Sequence, residues 1–138
     1  MSIKQAATEI IEDFELFDDW ADKYEYIISL GKELAPMNEE EKTEENLVKG
    51  CQSRVWLNAK YENGKVIFSA DSDAIISKGI IALLVKILSS QTAQEIAETD
   101  FSFIDEIGLK EHLSPNRSNG LAGMMKKMKT YGIAFQNA

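Results

Sequence analysis

Two alternating stretches joined by Asn63-Gly64 constrain this chain more than any other feature. Val55, Leu57, Ala59 and Tyr61 share one side of a period of two, with Arg54, Asn58 and Lys60 on the other. After the dipeptide, Val66, Phe68 and Ala70 resume the alternation. Successive side chains of a strand point to opposite faces, so each stretch reads as a strand with one apolar face. Asn and Gly both tolerate the positive φ that a two-residue hairpin turn requires. The middle of the chain is therefore an antiparallel hairpin, and the remaining segments must cover its apolar face.

Those segments read mostly as helices. After Ser2, a suitable N-cap, Ile3, Ala7, Ile10, Ile11, Phe14 and Phe17 recur at helical spacing. Asp18 and Asp19 open a second helix bearing Trp20, Tyr24, Ile27 and Ile28 on one face, ending near Leu34 ahead of Pro36. Asp71-Ser72-Asp73 is read as the cap of a third, Ala74 to Leu88, apolar around most of its circumference and so buried against the sheet. Gly79 in its middle marks a close packing contact, since glycine there weakens a helix. Thr92 and Glu95 form a capping-box pattern, and Asp100 caps a short helix ended by Gly108. Ser114-Pro115 opens the last helix, whose apolar stripe is Leu121, Met124, Met125, Met128 and Phe135. Residues 38–46 carry five glutamates and read as a solvated connector, followed by a short strand at Leu47-Val48. Helices, then strands, then helices argue an α+β fold in one domain over residues 1–138, with about three strands.

A net charge of −8 argues against nucleic acid and anionic membrane surfaces as partners. The longest apolar stretch, Ala74 to Leu88, carries Lys78 and Lys86 and is short of the ~20 residues of a membrane span. With no basic-then-apolar leader at Met1 to Thr8, the expected location is cytoplasmic. One cysteine and one histidine, His112, build no internal disulfide and no conventional metal cage, so no metal is expected.

That one cysteine, Cys51, lies in Lys49-Gly50-Cys51-Gln52-Ser53-Arg54-Val55-Trp56, in the loop that enters the hairpin. Its neighbours Lys49 and Arg54 are cations, which favour the reactive thiolate, and Gly50 removes bulk beside the sulfur. Gln52 and Ser53 are potential hydrogen-bonding groups. These residues alone leave a reactive and a structural cysteine equally open, and Lys49 and Arg54 read equally well as ordinary surface cations.

Four segments carry a resemblance across nearly the whole chain: DWADKYEYIISLG from Asp19, KGCQSRVW from Lys49, DSDAIISKGIIALL from Asp71 and LSPNRSNGL from Leu113. In their order and spacing the chain resembles the SufE/CsdE family, the sulfur-acceptor partners of cysteine desulfurases. Ile75-Ile76-Ser77 is the one departure from the pattern. The resemblance implies an α+β fold like that of IscU-type iron–sulfur scaffolds, and a Cys51 that accepts one persulfide sulfur from a SufS/CsdA-type desulfurase. It implies that the desulfurase is stimulated and that the sulfur passes on to a downstream iron–sulfur scaffold. Pyridoxal phosphate would belong to the desulfurase, leaving this chain with no cofactor. The partner surface is expected around Cys51, including Lys49, Gly50, Gln52, Arg54, Asp73 of the Asp71-Ser72-Asp73 turn and Arg117 of the Arg117-Ser118-Asn119 turn. The loop is expected to shelter the thiol until a partner arrives. Two rival readings stand beside this one: a cysteine hydrolase with His112 as base, and a non-catalytic adaptor.

Overall fold

The structure, a computed structural model, describes residues 2–137. Helices α1 (Ile3–Glu15) and α2 (Trp20–Glu33) precede strands β1 (Val55–Glu62) and β2 (Lys65–Ser72). Then follow α3 (Ile75–Leu88), β3 (Gln91–Thr92), α4 (Ala93–Glu98), α5 (Ser102–Ile107) and α6 (Pro115–Gln136). The fold is α+β, with a three-stranded antiparallel sheet in the order β1-β2-β3.

The hairpin turns at Asn63 (φ 52°) and Gly64 (φ 78°), the positive dihedrals that the dipeptide provides. Register then pairs Leu57 with Ala70 and Tyr61 with Val66, so one face carries the apolar set. Val55, Leu57, Val66, Phe68 and Ala70 are all buried in one cluster with α3, whose Ile80, Ile81, Leu83, Leu84, Ile87 and Leu88 are almost fully enclosed. Helix α2 crosses α3 at Gly79, where a Cβ would stand 2.3 Å from the Ile27 carbonyl oxygen. The glycine read as a packing contact is one.

Several caps form locally as expected. The Ser2 and Thr92 side chains each accept from the backbone N–H three residues on, inside full capping boxes. Asp19 caps α2, and Ser114 caps α6 with Pro115 in the first turn. Gly108 ends α5 in the left-handed conformation. Asp100 is not the N-cap of α5: that position is Phe101, in the left-handed conformation with no side-chain bond, and Asp100 instead accepts from the Ser102 N–H (3.0 Å) two residues on.

Three further expectations differ. Asp71-Ser72-Asp73 does not cap α3: its N-cap is Ala74, with no side-chain bond. Those residues are drawn to the strand end instead, where the Asp73 carboxylate accepts from the Arg54 N–H (3.0 Å). Leu47-Val48 makes only a bridge to Trp56, because its chain turns away at Lys49; the third strand is Gln91–Thr92, paired with Lys65 and Val66. The glutamate-rich connector is not free in solvent. Asn58 and Ser69, opposite one another on the outer sheet face, both donate to the Glu41 carboxylate. Lys42 pairs with Asp71 (2.8 Å) and lies 5.7 Å from the Trp56 ring centroid. The connector thus covers part of the face that the core leaves open.

Candidate functional site

Cys51 sits on the loop of residues 49–54, between the Leu47–Trp56 bridge and β1. The hydrogen bonds that fix this loop fall at its ends. At one end the Val48 N–H donates to the Val55 carbonyl (2.8 Å). At the other, the Asp73 N–H and Ser72 hydroxyl donate to the Arg54 carbonyl (3.2 and 2.8 Å), and the Ser53 and Ser77 hydroxyls are bonded at 2.9 Å. Between them Gly50 takes φ 92°, a left-handed turn that a side chain resists.

The tip of the loop rests on α6. Cβ atoms built at Gly120 and Gly123 would stand 3.0 Å from the Cys51 Sγ and 2.1 Å from the Lys49 carbonyl oxygen. The absence of side chains at these two positions gives the loop its seat. Cys51 is half-buried there, and burial pushes its thiol up in pKa. The thiol is therefore mostly neutral at physiological pH, and no cation offsets the burial.

A cavity of about 200 Å³ lies beside the sulfur. Cys51, Gln52 and Ser53 wall one side, Ala74 with Ser77 and Ile80 of α3 another, and Asn116, Arg117, Gly120 and Met124 of α6 the third. Three of the site residues expected from sequence, Cys51, Gln52 and Arg117, thus meet in one place. Arg117 occupies the first turn of α6 and not a separate turn. Arg54 and Asp73 are joined to each other at the loop's base, outside the cavity lining. Gly50 lies against the Asn119 carbonyl, and Lys49 is exposed. Burial, aided by the Lys49 charge, pushes the Lys127 ammonium down in pKa, so Lys49 acts on that lysine.

Ser77, Asn116, Gly120 and Gly123 were not singled out from sequence. The signal available was Gly120 and Gly123, two weak helix formers three residues apart on one face of α6. His112 does not line the cavity. Its ring stacks on Trp20 at 3.9 Å between centroids, and its Nδ1 lies 3.0 Å from the Gly108 carbonyl oxygen. Among the described residues no three of His, Cys, Asp and Glu converge as metal ligands. Nor, among them, is any helix long and apolar enough to cross a membrane.

The profile of the Fe–S metabolism associated domain, SufE, matches residues 8–132. An uncharacterized SufE-like protein of Rhizobium etli is 45% identical over 126 residues, covering 88% of this chain and 85% of the relative. A SufE-like protein of Synechocystis is 43% identical over 128 residues, with 93% and 80% covered. The solution structure of a hypothetical protein from Thermus thermophilus superimposes with a TM-score of 0.81 over 96% of this chain and 97% of that one. At 19% identity that structure speaks for the fold alone. With a family profile over most of its length and relatives above 40% identity, this chain belongs to the SufE family of Fe–S metabolism proteins.

Proposed function

We propose that this protein takes one sulfur atom from the persulfide of a SufS/CsdA-type cysteine desulfurase onto Cys51, stimulates that enzyme by clearing its product, and delivers the sulfur to an iron–sulfur scaffold. The observation that carries the reading is the chain's one cysteine, half-buried at the tip of a short loop, beside a cavity with room for an added sulfur. The thiol first loses its proton to solvent or to a partner group. The Cys51 thiolate then attacks the outer persulfide sulfur, forming a new S–S bond as the old one breaks. The electron pair of the broken bond leaves with the desulfurase cysteine as its thiolate. No external oxidant or reductant is consumed, and pyridoxal phosphate serves only the partner, in making the persulfide.

Partial burial supports a carrier, because a persulfide exposed to free thiols would be lost by exchange. Gln52, Asn116 and Arg117 stand where donors can meet the outer sulfur. Ile75, 67% exposed and next to cavity-lining Ala74, offers an apolar contact to the partner. The hydrolase reading loses ground because its base, His112, is held by Trp20 and Gly108 outside the cavity. The test is desulfurase turnover with cysteine as substrate. Wild-type protein should raise alanine formation severalfold and Cys51→Ser should not; equal stimulation by both would favour the adaptor.

A further inference from the structure

We infer that Gly120 and Gly123 of α6 are positioning residues: carrying no side chain, they form the seat of the Cys51 loop and so set how readily it opens. The inference deepens the sulfur-acceptor reading by naming what controls access to its sulfur, but its test needs no desulfurase.

Glycine inside a helix is destabilising relative to alanine, so two on one face call for a reason. The reason is visible at both: one contact is to the Cys51 sulfur at 3.0 Å, the other to the Lys49 backbone at 2.1 Å, each measured from the Cβ that glycine lacks. No rotamer change relieves the second, because a backbone oxygen is in the way; either the loop or the helix must move. The helix is the less free of the two. Farther along, Gly132 packs α6 against Ile96 and Ala97 of α4, with Cβ distances of 2.8 and 2.9 Å. The Leu121, Met124 and Met128 side chains are buried in the core. The loop, by contrast, has its hydrogen bonds at the two ends, through Val48 and Ser53–Arg54, and a left-handed Gly50 between them. Its tip can therefore swing out about fixed ends, carrying Cys51 into solvent while the strand pairing stays intact.

The seat makes a double demand on residue 120. A side chain there would overlap the cysteine sulfur and fill part of the cavity that Gly120 lines. Alanine at either position thus favours the open loop while strengthening the helix, so loop opening and loss of fold are separated. Relief of burial also returns the thiol toward its ordinary pKa, because burial is what raises it.

The experiment is alkylation of Cys51 by iodoacetamide in the isolated protein, across pH, for wild type, Gly120→Ala, Gly123→Ala and Gly132→Ala. The first two variants are expected to react about tenfold faster, the low end of what overpacking a tight contact does to a closed–open equilibrium, with their pH midpoints lowered. Gly132→Ala, which strains α6 against α4, should lower the melting temperature without changing the alkylation rate. Unchanged rates in Gly120→Ala and Gly123→Ala would overturn the inference. So would an equal acceleration by Gly132→Ala, since general loosening would then suffice. A second measurement needs no variant: wild-type alkylation should be nearly independent of urea well below the unfolding transition, as local opening exposes little surface. A rate that follows global unfolding across that range would also overturn it. A wild-type protein that takes no sulfur from a desulfurase would defeat the proposed function and leave these results standing.

Discussion

Burial raises the Cys51 pKa, which fixes the sign of two pH effects. Alkylation requires the thiolate, so its midpoint in the native protein should lie above that in the urea-unfolded chain. Between those two pKa values the native state keeps a proton that the unfolded chain has lost. The group's contribution to stability is therefore complete below the unfolded pKa and is lost as pH rises through the folded one. Cys51→Ser should flatten that alkaline decline, measured by urea denaturation against pH. Asp71 has the opposite sign. Burial raises its pKa, but bonds from Lys42, the Ser72 N–H and Lys78 outweigh it and leave the carboxyl below its ordinary value. Its contribution is present above the unfolded pKa and disappears as pH falls through the depressed one. Asp71→Asn should lower the melting temperature at neutral pH by a few degrees and have little effect at pH ~2. An equal loss at both pH values would mean that Asp71 acts through packing and not through its charge.

At the scale of elements, what could be read from sequence was what forms between near neighbours. The hairpin needs only Asn63, Gly64 and the alternation around them, and the capping boxes at Ser2 and Thr92 close within three residues. Gly79 was legible because a helix interior rarely holds glycine without a packing reason. Opaque features depended on partners far along the chain. Asp73 had the composition of a cap but found the Arg54 N–H first, 19 residues away. Glu41 looked like solvated charge until folding brought Asn58 and Ser69 to it. The cavity was half legible: Cys51, Gln52 and Arg117 lay in recognisable segments, whereas the seat at Gly120 and Gly123 emerges only once α6 is laid against the loop. The tightest of the interhelical contacts gives a prediction of its own. Gly79→Ala places a methyl 2.3 Å from the Ile27 carbonyl, and the forced separation of α2 and α3 should cost about 1–3 kcal/mol despite alanine's better helix propensity. Denaturant titration measures it, and a stability equal to or above wild type would show that the two helices can slide apart freely.

Across the whole molecule, charge is unevenly placed. The chain carries −8 overall, yet Lys49, Arg54 and Arg117 all lie exposed around the Cys51 loop. A partner approaching Cys51 thus meets positive groups on an otherwise acidic protein, an arrangement that steers orientation and association rate more than it adds affinity. Arg117→Glu should weaken desulfurase binding about tenfold, more at low salt than at high, with the melting temperature nearly unchanged. Binding curves at two ionic strengths check this, and intact affinity with a large loss of stability would assign Arg117 to the fold. The claim that joins these scales is that Cys51 is a way-station for one sulfur atom. Its most direct test is intact-mass spectrometry after incubation with a cysteine desulfurase, pyridoxal phosphate and cysteine. A gain of ~32 Da, removed by dithiothreitol, mapped to Cys51 and missing from Cys51→Ser, is the predicted result. A wild-type mass that stays unchanged while the desulfurase turns over would contradict it.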